Sequence, residues 1–109
     1  MSCSLEVRVC SVNDVPEDGG IGFDLEGLPE SIAIFKNQGE YFAVAELCTH
    51  GDFSLVGGEI EDCQVECPMH FARFDLRTGA CTFPAYVPLR TYPIRVEGGE
   101  IFVDPSPNV

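Results

Sequence analysis

The sequence predicts an all-β protein: a small antiparallel barrel or sandwich built from both ends of the chain, with a lobe inserted between them. Three observations carry this. Eleven Gly and eight Pro punctuate the 109 residues, and past the opening fifteen no stretch free of both exceeds the eleven residues from Glu40 to His50, so long helices have no room. Apolar and polar residues alternate near both ends, the pattern of strands with one face on a core. Gly39 and the pair Gly98-Gly99 stand where two hairpins need to turn.

Each element follows in order. Leu5, Val7 and Val9 alternate with Glu6 and Arg8 and predict a half-buried strand. Pro16 to Gly22 reads as a turn-rich piece. Ser31 to Phe35 is nearly all apolar, which predicts a strand buried on both faces. Asn37-Gln38-Gly39 turns the chain into Tyr41 to Leu47, a second strand that delivers Cys48. Gln64 to Glu66 leads to Cys67, Phe74 to Leu76 leads away, and Arg77-Thr78-Gly79 turns tightly into Ala80 to Phe83. Tyr92, Ile94 and Val96 alternate with polar or proline positions, and Gly98-Gly99 folds them back onto Ile101 to Val103. From Pro105 the tail is expected to fray. With no repeat, low-complexity tract or linker, residues 1–109 are expected to form one domain, with a base of 1–46 and 72–109 and a lobe of 47–71.

Charge narrows the partners. Asp and Glu outnumber Lys and Arg by 18 to 6, a formal charge of -12 that repels phosphate backbones and anionic lipid. Nucleic acid and membranes are therefore excluded, and proteins with basic patches are favoured. Met1 to Val15 lacks a basic region followed by an apolar run, and no stretch approaches the length of a membrane span. The reading is a cytoplasmic, monomeric protein in which Cys3, Cys10, Cys63 and Cys81 are free thiols.

The chemistry concentrates between Cys48 and His70. Cys48-Thr49-His50 and Cys67-Pro68-Met69-His70 bracket sixteen residues, and the two histidines are the only ones in the chain. Singly, a Cys is usually a small buried hydrophobe and a His a hydrogen-bonded residue of no special role. Together, two Cys-His pairs at ligand spacing point to a metal centre formed by Cys48, His50, Cys67 and His70. One tetrahedral zinc remains an alternative, but zinc sites of this composition usually pair Cys with Cys and His with His. Here each short segment supplies one ligand of each kind, which suits a two-iron centre with both cysteines on one iron and both histidines on the other. Cys63 lies near Cys67, yet the set of four is complete without it.

These boxes resemble those of Rieske iron-sulfur proteins. The likeness continues through Arg73-Phe74-Asp75-Leu76-Arg77-Thr78-Gly79, Phe83-Pro84-Ala85 and Tyr92-Pro93-Ile94-Arg95-Val96-Glu97, and it is similar to the small ferredoxins of bacterial aromatic-ring-hydroxylating dioxygenases over roughly residues 5 to 104. The resemblance implies the Rieske fold and one [2Fe-2S] cluster per chain, with the histidine-bound iron nearest the tip and Pro84 on a third covering loop. High-potential relatives in respiratory complexes carry an extra cysteine in each box, joined as a disulfide, and a serine that bonds a bridging sulfide. Those positions are Phe53, Met69 and Ala72 here.

Two neutral imidazoles leave the oxidised core formally uncharged, which eases entry of an electron relative to a four-thiolate cluster. The missing donors oppose this, so the potential is expected in the lower half of the Rieske range, roughly -150 to +300 mV. No third His, nucleophile-base pair or phosphate loop is present, and a fully ligated cluster has no position open for substrate. The expectation is a one-electron carrier, not itself an enzyme. By resemblance it runs between an NADH-dependent flavoprotein reductase and a terminal Rieske oxygenase, with Phe53, Leu55, Phe71, Phe83 and Pro84 shielding the cluster or lining the contact. The alternatives are a Rieske-like small subunit of another oxidoreductase, such as a nitrite reductase, and a structural zinc module that binds proteins.

Overall fold

The central hairpin separates two cores. In this computed structural model, which describes residues 6–49, 53–69, 71–83 and 85–108, strand β3 (Ile32–Asn37) pairs with β4 (Glu40–Ala45) along its whole length. Side chains of a strand alternate between faces. Accordingly Ala33 and Phe35 enter one core with Val44, Leu55, Val65, Phe74 and Leu89, while Ile32 and Ile34 enter the other with Val9, Tyr92, Ile101 and Val103. All four are fully buried, as the unbroken apolar run predicts. The turn is the two-residue loop Gln38-Gly39, both in the left-handed region at φ 54° and 80°.

Three antiparallel sheets complete the fold. β1 (Val7–Ser11), β10 (Glu100–Val103) and β9 (Ile94–Glu97) form one, in that order. β2 (Gly19–Phe23), β3, β4 and β8 (Thr91–Tyr92) form the next. β5 (Ile60–Glu61), β6 (Gln64–Glu66) and β7 (Arg73–Asp75) form the third. A 3-10 turn at Val12–Asp14, capped by Ser11, is the helical element among the described residues. The predicted Gly98-Gly99 hairpin is present, with Glu97 opposite Glu100.

The structure departs from the sequence reading in four places. The turn-rich piece contains strand β2, since its glycines serve close approach: a Cβ on Gly20 would lie 2.4 Å from the Phe35 ring and one on Gly22 2.5 Å from the Glu46 carboxylate. The first strand runs two residues later than expected and carries an irregularity between Arg8 and Cys10. Val9 and Cys10, adjacent in sequence, are therefore both buried. Ala80 to Phe83 is not a strand and contributes a single bridge, Cys81 to Phe74. The tail is tied down: Asn108 donates its backbone N–H to the Thr91 carbonyl (2.8 Å) and its side-chain amide to the Thr91 hydroxyl (3.0 Å).

A polar knot joins the loop before β3 to the approach to β8. Arg90 donates to both carboxylate oxygens of Glu30, and the Tyr92 hydroxyl donates to one of them. The Arg90 hydrogen bonds hold the Glu30 carboxyl below its ordinary 4.5 against the opposing effect of burial, with Tyr92 helping. Burial, then the Glu30 contact, pushes the Tyr92 phenol up to about 12. A lowered carboxyl pKa means stability present above about pH 4.5 and lost as pH falls through the folded value; the raised phenol loses its contribution as pH climbs from 10 toward 12. Because Arg90 is half exposed, screening limits the pair. E30Q is expected to cost about 1–2 kcal/mol at pH 7 in urea denaturation, and the gap to wild type should narrow as pH falls below the ordinary carboxyl value of 4.5. A gap independent of pH would assign the effect to packing.

None of Cys10, Cys48, Cys63, Cys67 and Cys81 is in a disulfide, and Cys3 lies outside the described residues. Burial, with Asp14 nearby, pushes the Cys10 thiol up to about 11, which makes it a poor nucleophile.

Candidate metal centre

Two loops closed by the same hydrogen bond begin at the two candidate cysteines. Cys48 donates its backbone N–H to the Phe53 carbonyl (2.8 Å), and Cys67 donates its own to the Ala72 carbonyl (2.7 Å), in each case five residues on. Each loop sits on a paired stem: Leu47 bridges Ser54 below the first, and Glu66 pairs with Arg73 below the second. The stems hold the loop ends in register, so both cysteines point from rigid backbone. His50 and His70 fall within these loops but lie outside the described residues, as does Pro84.

The cysteine side chains converge on one core. Cys48 and Cys67 are 2% and 0% exposed and belong to the same apolar cluster, with Leu55, Val65, Ala72 and Phe74 packed around them. A thiol pair in a dry pocket at the head of two histidine-bearing loops matches the donor chemistry of an iron-sulfur centre, which thiolates hold best when water is kept away. Cys63 is placed differently. It sits in the β5–β6 turn at φ 60°, with its N–H on the Asn37 side chain (3.1 Å) and its carbonyl accepting from Leu76 (2.8 Å).

A third segment braces the loops. Thr49, between Cys48 and His50, donates its hydroxyl to the Val87 carbonyl at 2.6 Å. Arg73 and Thr82 exchange hydrogen bonds at 3.0 and 2.9 Å, which anchors the start of that segment to β7. A hollow of about 340 Å³ beside Cys48 is lined by Glu30, Leu47, Thr49, Val87 and Arg90. Phe71 donates its N–H to the Cys67 carbonyl (2.9 Å) from the left-handed region at φ 65°, a costly place for a bulky side chain.

The apolar residues expected to shield or line the centre divide sharply. Leu55 is fully buried and belongs to the core, whereas Phe53, Phe71 and Phe83 are exposed by 41, 68 and 77%. Sequence reasoning missed Leu47, Met69, Tyr86 and Val87, which are also exposed; Tyr86 packs edge-on against Phe83. The run Phe83-Pro84-Ala85-Tyr86-Val87-Pro88, apolar yet broken by two prolines, was the available signal. Phe53 and Met69, which stand where a disulfide would lie, both face solvent, and Ala72, which stands in place of the serine, is fully buried without a hydroxyl.

Known proteins resemble this chain in sequence and in fold. The chain is 45% identical over 100 residues to the 3-phenylpropionate/cinnamic acid dioxygenase ferredoxin subunit of Escherichia coli (strain K12), covering 90% of this chain and 92% of that one. It is 44% identical to the ferredoxin component of the p-cumate 2,3-dioxygenase system of Pseudomonas putida, covering 90% and 84%. The fold superposes with a TM-score of 0.87 and 26% identity on a chain from the complex of reduced oxygenase and oxidized ferredoxin in carbazole 1,9a-dioxygenase, over 98% of this chain and 99% of that one. Because the family match spans residues 6–93, taking in both loops, their stems and most of the base, the chain belongs to the Rieske [2Fe-2S] domain family.

Proposed function

We propose that Cys48 and Cys67 hold one iron, and His50 and His70 the other, of a single [2Fe-2S] cluster, presented by a lobe of residues 47–71 on a base of 1–46 and 72–109. One observation carries this reading: two buried cysteines in one core open two loops of the same closure, each of which also spans a histidine. When bound, such a cluster supplies one-electron transfer and offers no open coordination position.

The chain's own residues perform the rest. Leu55, Val65, Ala72 and Phe74 keep water from the thiolates, and the two stems and the Thr49–Val87 contact hold the loops in place. Little movement on reduction means a small reorganisation cost. The protein is the ferredoxin component of an aromatic-ring dioxygenase system, a carrier and not the enzyme that acts on the ring. It takes electrons singly from an NADH-dependent flavoprotein reductase and passes them to a terminal Rieske oxygenase. Its ferredoxin relatives in phenylpropionate and cumate dioxygenase systems support this role. No helix among the described residues is long and apolar enough to cross a membrane. Cys10, Cys63 and Cys81, none of them in a disulfide, suit the reducing cytoplasm, where we place it.

Absorption and EPR spectra before and after dithionite test the reading: a red-brown protein whose signal appears on reduction, with two irons per chain, is expected. A colourless zinc protein would overturn it. With Ala72 lacking a hydroxyl and no disulfide possible at Phe53 and Met69, voltammetry should return a potential in the lower half of the range of roughly -150 to +300 mV, and A72S should raise it.

A further inference from the structure

We propose that a groove on the Cys67 side of the centre seats a basic protein partner, whose apolar anchor rests on Phe71 between Glu59 and Glu66. The proposal rests on the ligand reading above and adds which flank is used and by what chemistry. The groove, about 340 Å³, is lined by Gly57, Gly58, Glu59, Glu66, Pro68 and Phe71. Its floor is open because Gly57 and Gly58 bring no side chains. Gly58 cannot gain one, since its Cβ would lie 1.9 Å from the Glu66 carbonyl.

Phe71 is the apolar element. The residue is 68% exposed although its backbone occupies the left-handed region, where glycine or asparagine would sit at lower cost. Its N–H reaches the Cys67 carbonyl directly, so a surface aromatic lies one hydrogen bond from a proposed ligand. A partner side chain packed on this ring is thereby coupled to the centre by a short path.

Charge selects the partner. Glu59 and Glu66 also line a second concavity with Asp18 and Glu61, so the acidic field continues down the third sheet. Its one cation, Arg73, is engaged by Glu61 at 3.7 Å. The hollow on the Cys48 side differs: there Glu30 and Arg90 neutralise each other. The two hollows are thus electrostatically unlike among the described residues, and the one beside Phe71 fits a Lys- or Arg-rimmed surface around an apolar residue.

Ferricytochrome c, a basic haem protein, is a suitable probe. One electron passes from the dithionite-reduced holoprotein to the ferric haem, with no bond or proton moved, and stopped-flow absorbance gives the second-order rate. E59Q/E66Q is expected to slow it about 3–10-fold at low ionic strength and to flatten its salt dependence. D24N/E26Q, which removes the same charge from the exposed loop beside the second core, should change it less than about 2-fold. Equal slowing by the two pairs, or none by E59Q/E66Q, overturns the proposal. If the visible spectrum shows that E66Q disturbs the cluster, E59Q/E61Q repeats the comparison off the ligand loop. A wild-type protein without the cluster spectrum would instead refute the ligand reading.

Discussion

Replacing Cys67 by serine is expected to yield a colourless protein that shows no EPR signal after dithionite, whereas C63S keeps both colour and signal. The two cysteines are four residues apart and equally buried, at 0% and 3%, so burial does not distinguish them. Their settings do. Cys67 opens a closed loop and packs with Cys48, while Cys63 lies in the β5–β6 turn with its backbone tied to Asn37 and Leu76. A serine hydroxyl is a poor replacement for a soft thiolate on iron, and in a dry core it finds no water. Metal binding is part of the folding free energy of so small a domain, so C67S should also unfold at lower denaturant by several kcal/mol, of order 3 or more. Iron analysis, EPR and urea titration on both variants provide the check. A C67S protein with two irons and the wild-type spectrum would sink the ligand set.

G79A is expected to be the most damaging single methyl group that can be added to the base. Gly79 sits at φ 83°, donates its N–H to the Asp75 carbonyl and accepts at its own carbonyl from Leu89. A Cβ there would lie 2.0 Å from the Leu89 carbonyl, so the substitution combines a left-handed backbone with a clash against main chain that has no rotamer to yield. The segment that follows carries Leu89, a member of the core around Cys48 and Cys67, and continues into Arg90 and Tyr92 of the polar knot. We expect a loss of about 2–4 kcal/mol and a fall in Tm of about 10 °C or more in thermal denaturation followed by circular dichroism. G39A is the control, because Gly39 is also left-handed at φ 80° but nothing lies within 4 Å of its Cβ. It should cost about 1 kcal/mol, the backbone term alone. Equal losses at the two sites would mean that the approach to Leu89 is relaxed without cost.

Legibility followed the range of the interactions. The β3 strand was plain because four successive apolar residues between polar flanks, Ile32 to Phe35, have one economical solution, burial on both faces. The Gly98-Gly99 and Gln38-Gly39 turns were plain because only a few residues tolerate consecutive left-handed conformations. Strand β2 was not, since Gly20 and Gly22 resemble turn residues until the Phe35 ring and the Glu46 carboxylate that crowd them are known. The β5–β6 turn was hidden for the opposite reason: Asp62 and Cys63 adopt φ 54° and 60° with no glycine to announce it. Asn37, from a hairpin twenty-six residues away, supplies the acceptor that holds that turn.

By itself the sequence pointed to the chemistry: two Cys-His pairs at ligand spacing are the pattern of a metal centre, because donor character is a property of side-chain type and spacing. It also determined an all-β fold, since Gly and Pro deny helices the length they need. Only the tertiary structure decided that both cysteines share one dry core, that Leu55 belongs inside while Phe71, Phe83 and Tyr86 face solvent, and that Glu59, Glu61 and Glu66 gather around one concavity with Asp18. Those outcomes depend on which distant segments pack together, and no local pattern of residues carries that information.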